Sequence, residues 1–296
     1  MAGATPFQGA VPPFVPGGEW LRSALHAHTT NSDGELAPDA LAAHYARAGY
    51  DVLAITDHWC LTRATADGML VLASSELNCV LPGERDGHVL AFGIESEPAE
   101  LGTEPADLTR AGDWIEGHGG VAYLAHPYWT GAVPGGYELP ASVDGIEVYN
   151  AGCELEVGRG LASVHWDELL EAGRRCFAIA TDDSHHPGFD SDLAWTWLRV
   201  EERTREAVLA ALRQGAFYSS TGPAVRALEL DGDVLEVRCS PCRSVTVVSG
   251  RSTGAAAHAG RLPYCHRGRV LERADDGAIL RARLELPFGA RYVRVE

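Results

Sequence analysis

Histidines and carboxylates recur in this chain at spacings that suit metal binding. His26 and His28 stand two residues apart, as do Asp183 and His185. Alternation along an extended strand puts both members of such a pair on one face. Imidazole nitrogen and carboxylate oxygen suit Zn²⁺, Mn²⁺ or Fe, and a shared carboxylate can bridge two ions. Any single histidine is more often a hydrogen-bonded core or surface residue than a ligand. Six histidines (His26, His28, His58, His88, His126 and His185) with three carboxylates (Asp33, Glu76 and Asp183), all beside short apolar runs, reverse those odds. Ions held there would generate a hydroxide able to attack phosphorus or a carbonyl carbon, and no protein nucleophile is required. His44, His118, His165, His186, His258 and His266 fall on expected helices, in loops or in the C-terminal region, and receive no ligand role.

Ligands so far apart in sequence need a scaffold that gathers them. Between residues 21 and 223, short apolar runs alternate with amphipathic stretches, the pattern of βα units around a parallel sheet. Strands are predicted over residues 21–26, 52–56, 70–74, 89–93, 121–125, 145–148, 177–180 and 195–200, and helices over 38–47, 105–117, 163–172 and 204–214. Pro38 and Pro105 suit a first helical turn, and Gly49, Gly119, Gly173 and Gly215 suit helix ends. The histidines and carboxylates sit at strand ends, which converge on one face in a barrel of parallel strands. The expected fold class is therefore α/β. Residues 1–20 read as a Pro/Gly-rich arm, residues 21–223 as the metal-binding barrel, and residues 224–296, strand-like and without a convincing helix, as a small antiparallel β domain of sandwich type.

Composition excludes several chemistries. The 296 residues contain no lysine, so Schiff-base, pyridoxal-phosphate and P-loop mechanisms are ruled out. A formal net charge of -17 with no basic stretch disfavours nucleic acid and anionic membrane as partners. Seven cysteines without framework spacing fit a reducing compartment, and no segment is long and apolar enough to span a bilayer, so a cytoplasmic location is expected. Cys239 and Cys242 form a lone CxxC, a weak signal for zinc or redox chemistry.

The motifs LHAHTTNSDG, ITDH, the isolated Glu76, HVLAFG, LAHP and TDDSH, in this order, resemble those of the PHP (polymerase and histidinol phosphatase) superfamily over residues 21–223. GIEVYNAGCELE, AWTWLRV and FYSSTGP further resemble its branch that includes carbamate-ester hydrolases. The resemblance implies a distorted seven-stranded (β/α) barrel, TIM-like in plan, with two or three divalent ions (Zn, Mn or Fe). It implies that His26, His28, Glu76 and Asp183 hold a first ion. Glu76 would bridge to a second ion held with His88 and His126, and Asp33, His58 and His185 would hold a third. A hydroxide bridging the ions would be positioned by Glu76 and Asp183. Asp182 competes with its neighbour as ligand, although the DxH spacing favours Asp183.

Three carboxylates facing about three divalent ions leave a locally positive pocket, suited to a small phosphorylated substrate or another ester. Arg159, within Gly158-Arg159-Gly160, is either a phosphate fork or an ordinary surface arginine. Tyr149, Asn150 and Trp129 either line the pocket or pack. The reading is a metal-dependent phosphoesterase. The alternatives are a carboxyl- or carbamate-ester hydrolase with the same site, and an amidohydrolase-type barrel, whose frequent carboxylated lysine has no counterpart here. Oligomeric state leaves no trace in the sequence.

Overall fold

The computed structural model describes residues 8–81, 85–102, 105–250, 252–260 and 263–296. The chain forms two compact units. One holds Gly18–Leu169 and Arg174–Thr221, and the other holds the described residues up to Gly17, Leu170–Gly173 and Gly222–Glu296.

After β1 (Gln8–Ala10), which belongs to the second unit, the first unit runs through β2 (Glu19–Ala24), α1 (Pro38–Arg47), β3 (Val52–Ile55), β4 (Leu70–Leu81) and β5 (Arg85–Phe92). It continues with β6 (Ala106–Asp107), α2 (Leu108–Gly117), β7 (Val121–Ala125), β8 (Gly145–Asn150) and α3 (Ala151–Val157). Then come α4 (Ser163–Glu171), β9 (Phe177–Thr181), β10 (Trp195–Val200), α5 (Arg205–Gln214) and β11 (Phe217–Ser220). The strands form one sheet in the order β11-β10-β2-β3-β4-β5-β7-β8-β9, with β6 beside β4. Among the described residues nine strands follow this path, where the resemblance implied seven. The all-parallel expectation also needs correction. β2, β3 and β4 are parallel neighbours, as are β7, β8 and β9, but β5 runs antiparallel to both β4 and β7, and β10 antiparallel to β2 and β11. Only three residues separate β4 from β5, too few for the crossover that a parallel neighbour needs.

The sheet curls until its ends nearly meet. Ser219 Oγ donates to the carbonyl oxygen of Ala178 (2.7 Å), and the Ala180 amide donates to Thr196 Oγ1 (3.2 Å), so hydroxyl groups span the seam between β9 and β10/β11. Leu21, Leu90, Phe92, Tyr123, Ile179 and Leu198 are among the residues of one buried cluster, joined by Val208 and Leu212 from the apolar face of α5. A second cluster places Leu41 and Tyr45 of α1 against Leu53 and Ile55 of β3. Side-chain caps start the helices where the local sequence supplies them: Asp107 for α2, Asn150 for α3 and Thr204 for α5.

The second unit continues with β12 (Val225–Asp231), β13 (Val234–Cys242), β14 (Ser244–Ser249) and β15 (Gly254–His258). β16 (Tyr264–His266), β17 (Gly268–Arg273), β18 (Ile279–Glu285) and β19 (Val293–Val295) complete it. One antiparallel sheet has the order β1-β12-β13-β18-β17 and the other β16-β15-β14-β19. Leu235, Val237, Ala282 and Leu284 from the first sheet share a buried cluster with Val245, Val247 and Ala255 from the second. Residues 8–10, within the expected Pro/Gly-rich arm, supply a strand paired with β12. The thiols of Cys239 and Cys242 lie 3.6 Å apart, and among the described residues they join no metal-ligating group. No described helix is long and apolar enough to cross a membrane.

Candidate metal centre

Beyond β2 the chain stays extended through His26-Ala27-His28. The Asp183 amide donates to the His26 carbonyl (3.0 Å), and the His28 amide donates to the Ser184 carbonyl (2.9 Å). These bonds bring the segments after β2 and β9 side by side, so both HxH-spaced pairs meet. The His26 and His28 rings lie 5.1 Å apart, and the His28 and His185 rings stack at 4.2 Å. Between them, Asp183 has a left-handed backbone, with φ of 55°, a conformation that aspartate tolerates better than most residues.

The loop after His28 is shaped by Asp57, which follows β3. Its carboxylate accepts from the Thr29 amide (2.7 Å), Thr29 Oγ1 (2.6 Å), Ser32 Oγ (2.7 Å) and Thr62 Oγ1. Gly34 then passes so close to His28 that a Cβ there would lie 2.2 Å from the His28 carbonyl oxygen, which only glycine permits. This turn leaves Asp33 Oδ2 3.6 Å from His58 Nε2 and 3.5 Å from His185 Nε2.

Glu76 lies at the middle of the arrangement, fully buried on β4. Its Oε2 is 3.0 Å from His26 Nε2 and 3.2 Å from His28 Nε2. Its Oε1 is 2.6 Å from His88 Nδ1 and 3.0 Å from His126 Nε2. His88 reaches this end because β5 is antiparallel, so a residue near the strand's beginning lies where neighbouring strands end. Among the described residues the donor atoms form four groups, each within 4.8 Å: His26, His28, Glu76 and Asp183; Glu76, His88 and His126; His28, Asp33, His58 and His185; and His26, His126 and Glu147. The set fits a divalent metal site. Nitrogen and oxygen donors converge without a thiolate, and the buried His28 Nε2 and His58 Nδ1 face carboxylate oxygens without a well-aligned hydrogen bond.

Charge in this cluster is strongly coupled. Burial by itself disfavours the charged form of His26, but Asp183, Glu76 and Glu147 outweigh it and hold the imidazole well above its usual range. Against the same burial, Asp183 and Glu76 raise His28 to about 9, and Glu76 raises His126. Burial opposes ionisation of Glu76 and Asp183 too, yet the facing histidines hold both carboxyls low. Burial alone dominates at His58, which is lowered. A ligating imidazole must be neutral, so metal binding near neutral pH must displace at least the His28 proton. Zinc affinity is therefore expected to strengthen as pH rises towards about 9 and to weaken on acidification. Titration calorimetry in buffers of different ionisation enthalpy will measure the released protons, and buffer-independent heats would contradict this account.

No protein-family profile and no curated protein matches the sequence. Among solved structures, similarity is found to a two-domain protein from Bacteroides vulgatus containing a predicted PHP-like metal-dependent phosphoesterase. It covers 99% of this chain and 90% of that chain, with a TM-score of 0.56 and 15% identity. The likeness is one of fold. Two matches cover less: an amidohydrolase from Chromobacterium violaceum (TM-score 0.40, 21% identity, 57% of this chain and 89% of that one), and a lesion-specific endonuclease from Pyrococcus furiosus (TM-score 0.46, 12% identity, 68% of this chain and 58% of that one).

The nine expected ligands all lie in the overlapping groups. Arg159 is exposed, with its guanidinium 5.6 Å from the Tyr128 ring centroid. Neither Arg159, Tyr149 nor Asn150 lines the cavity above the cluster, and Trp129 does. Asn150 is buried, donates to Glu147 Oε2 and Asp183 Oδ2 (both 3.0 Å), and caps α3. Asp182 turns away from the histidines, accepting from Tyr45 OH and the amides of Asp192, Leu193 and Ala194 (2.9 Å each). Burial pushes its carboxyl up to about 6.

Glu147, absent from the expected set, joins the candidate site. Glu147 of β8 is completely buried; its Oε1 accepts from His26 Nδ1 (2.8 Å) and Thr181 Oγ1 (2.5 Å), and its Oε2 from the His126 amide (2.8 Å). The available signal was a carboxylate inside the apolar run Gly145-Ile146-Glu147-Val148, where an unpaired charge would be costly.

Proposed function

We propose that the chain is a metal-dependent phosphoesterase acting on a small molecule, with two or three divalent ions (Zn, Mn or Fe). The observation that carries this reading is Glu76, one buried carboxylate whose two oxygens face two different histidine groups beneath a cavity. His26, His28, Glu76 and Asp183 would hold one ion, Glu76 with His88 and His126 a second, and Asp33, His58 and His185 a third. Such ions lower the pKa of water towards neutrality and draw charge from the group being transferred. The protein's own part is placement. Glu147 accepts from His26 Nδ1 and so turns Nε2 towards the cluster, while Asn150 fixes Asp183 through Oδ2. The Asp57 hydrogen bonds hold the loop that presents Asp33. Residues 21–223 would carry the reaction, with residues 224–296 as an accessory β unit.

The test is metal analysis of purified protein together with hydrolysis of 4-nitrophenyl phosphate and 4-nitrophenyl acetate on one preparation. Phosphate-ester hydrolysis abolished by chelator and restored by Mn²⁺ or Zn²⁺ is expected. Metal-loaded protein that cleaves only the acetate would replace the phosphoesterase reading with a carboxyl-ester one.

A further inference from the structure

Deepening the hydrolase reading above, on which it rests, we infer that the substrate carries a single ester group on an apolar body of aromatic size, and that polyanionic phosphates are poor substrates. The cavity above the cluster has a volume of about 470 Å³, within the range of small-molecule sites. Its floor is the histidines and carboxylates already described, and its walls differ in chemistry. Trp129, Leu155 and Phe189 supply apolar surface. Phe189 is 69% exposed and Leu155 48%, so both present apolar area to whatever enters. Trp129 is held in place, because its Nε1 donates to Glu156 Oε2 (2.9 Å) and its ring meets the His126 ring edge-on at 5.1 Å.

No guanidinium or ammonium group stands in these walls among the described residues; His186, the basic side chain that lines them outside the cluster, lies 3.5 Å from the Glu35 carboxylate. Among the described residues no arginine lines the cavity, and the chain has no lysine. The carboxylates of Glu156 and Asp190 also line the walls. A second phosphate or carboxylate on the substrate would therefore meet carboxylates instead of a guanidinium fork, which is unfavourable in a confined site. An aryl group would replace water on the Trp129 and Phe189 surfaces at no electrostatic cost. One anionic group at the floor and an apolar body against the walls satisfy both demands.

The experiment compares kcat/KM on metal-loaded protein for phenyl phosphate, phenyl acetate, glycerol 2-phosphate and fructose 1,6-bisphosphate, with wild type and the Trp129→Ala and Phe189→Ala variants. Phenyl phosphate should exceed glycerol 2-phosphate and fructose 1,6-bisphosphate by about tenfold or more, the discrimination typical of a hydrophobic pocket. Each substitution should narrow that ratio, mainly by raising KM for the phenyl ester, at unchanged metal content. Hydrolysis that prefers the bisphosphate or glycerol phosphate, or a ratio that neither substitution narrows, overturns this proposal and leaves the hydrolase reading standing. Preference for phenyl acetate over phenyl phosphate, with the ratio still sensitive to Trp129, overturns only the phosphoester assignment and supports the apolar site. No metal-dependent hydrolysis of any ester overturns the hydrolase reading and this proposal with it.

Discussion

Glu76→Gln is expected to lose metal from two of the histidine groups at once, and with it nearly all turnover. Both oxygens of the carboxylate are engaged, Oε2 towards His26 and His28 and Oε1 towards His88 and His126, so its loss removes one acceptor from each of two groups. At an effective dielectric of about 20, a unit charge about 4 Å from another contributes about 4 kcal/mol. Removing the Glu76 charge should therefore weaken cation binding by about a thousandfold. The barrel should still fold, because the clusters around Leu21, Phe92 and Tyr123 and around Leu41 and Tyr45 bury apolar surface independently of this carboxylate. His58→Ala is the informative contrast. Its imidazole is partly exposed and faces Asp33, so its loss should deplete mainly the group of Asp33 and His185. Metal content by elemental analysis, turnover and circular dichroism on the two variants will measure this. A Glu76→Gln protein with its full metal complement would sink the bridging role.

Glu147→Gln is expected to lower metal affinity by about 10–100-fold, the usual effect of removing the partner that orients a ligating histidine. Glu147 only accepts, on both oxygens, and its donors come from opposite sides: His26 Nδ1 and Thr181 Oγ1 on one, the His126 amide and Asn150 Nδ2 on the other. Glutamine has one acceptor oxygen and an NH₂ group, so one side must face donor against donor. If the amide turns its NH₂ to His26, Nδ1 can no longer keep its proton there, and the tautomer that directs Nε2 at the cluster is lost. A buried donor without an acceptor costs about 1–3 kcal/mol, so a modest drop in thermal stability should accompany the change. Competition with a chromophoric chelator reads the affinity, and calorimetric melting reads the stability. Wild-type zinc affinity in Glu147→Gln would mean that His26 is oriented by other means.

Several elements were legible because their information is local. Pro38 in the first turn and the spacing of Leu41, Ala42 and Tyr45 mark α1, and the continuous apolar run Val52–Ile55 marks β3, buried on both faces. β7 has the expected bounds for the same reason, and β10 has them through its alternation of buried and half-buried residues. The helix α3 was not expected. It is seven residues long, so there is little room for a periodic pattern, and its start depends on Asn150 as cap. In the second unit, Gly254–His258 is built mostly of alanine and Tyr264–His266 is exposed throughout, so neither strand shows the alternation that announces one.

The sequence by itself determined which donors are available. The histidine and carboxylate donors, the absence of any lysine, and the HxH and DxH spacings follow from the order of residues alone; the strand ends do not, since Glu76 lies within β4 and not at the end of the expected strand 70–74. Tertiary structure decided how those donors are shared. Asp182 and Asp183 are adjacent and chemically identical, yet one is satisfied by Tyr45 and three loop amides while the other faces His26 and His28. His88 joins the cluster only because β5 turns back against β4, and Glu147 joins it from a strand whose pattern reads as core. The partners of a buried carboxylate are set by contacts between residues 50 to 121 positions apart, and local spacing carries no record of such contacts.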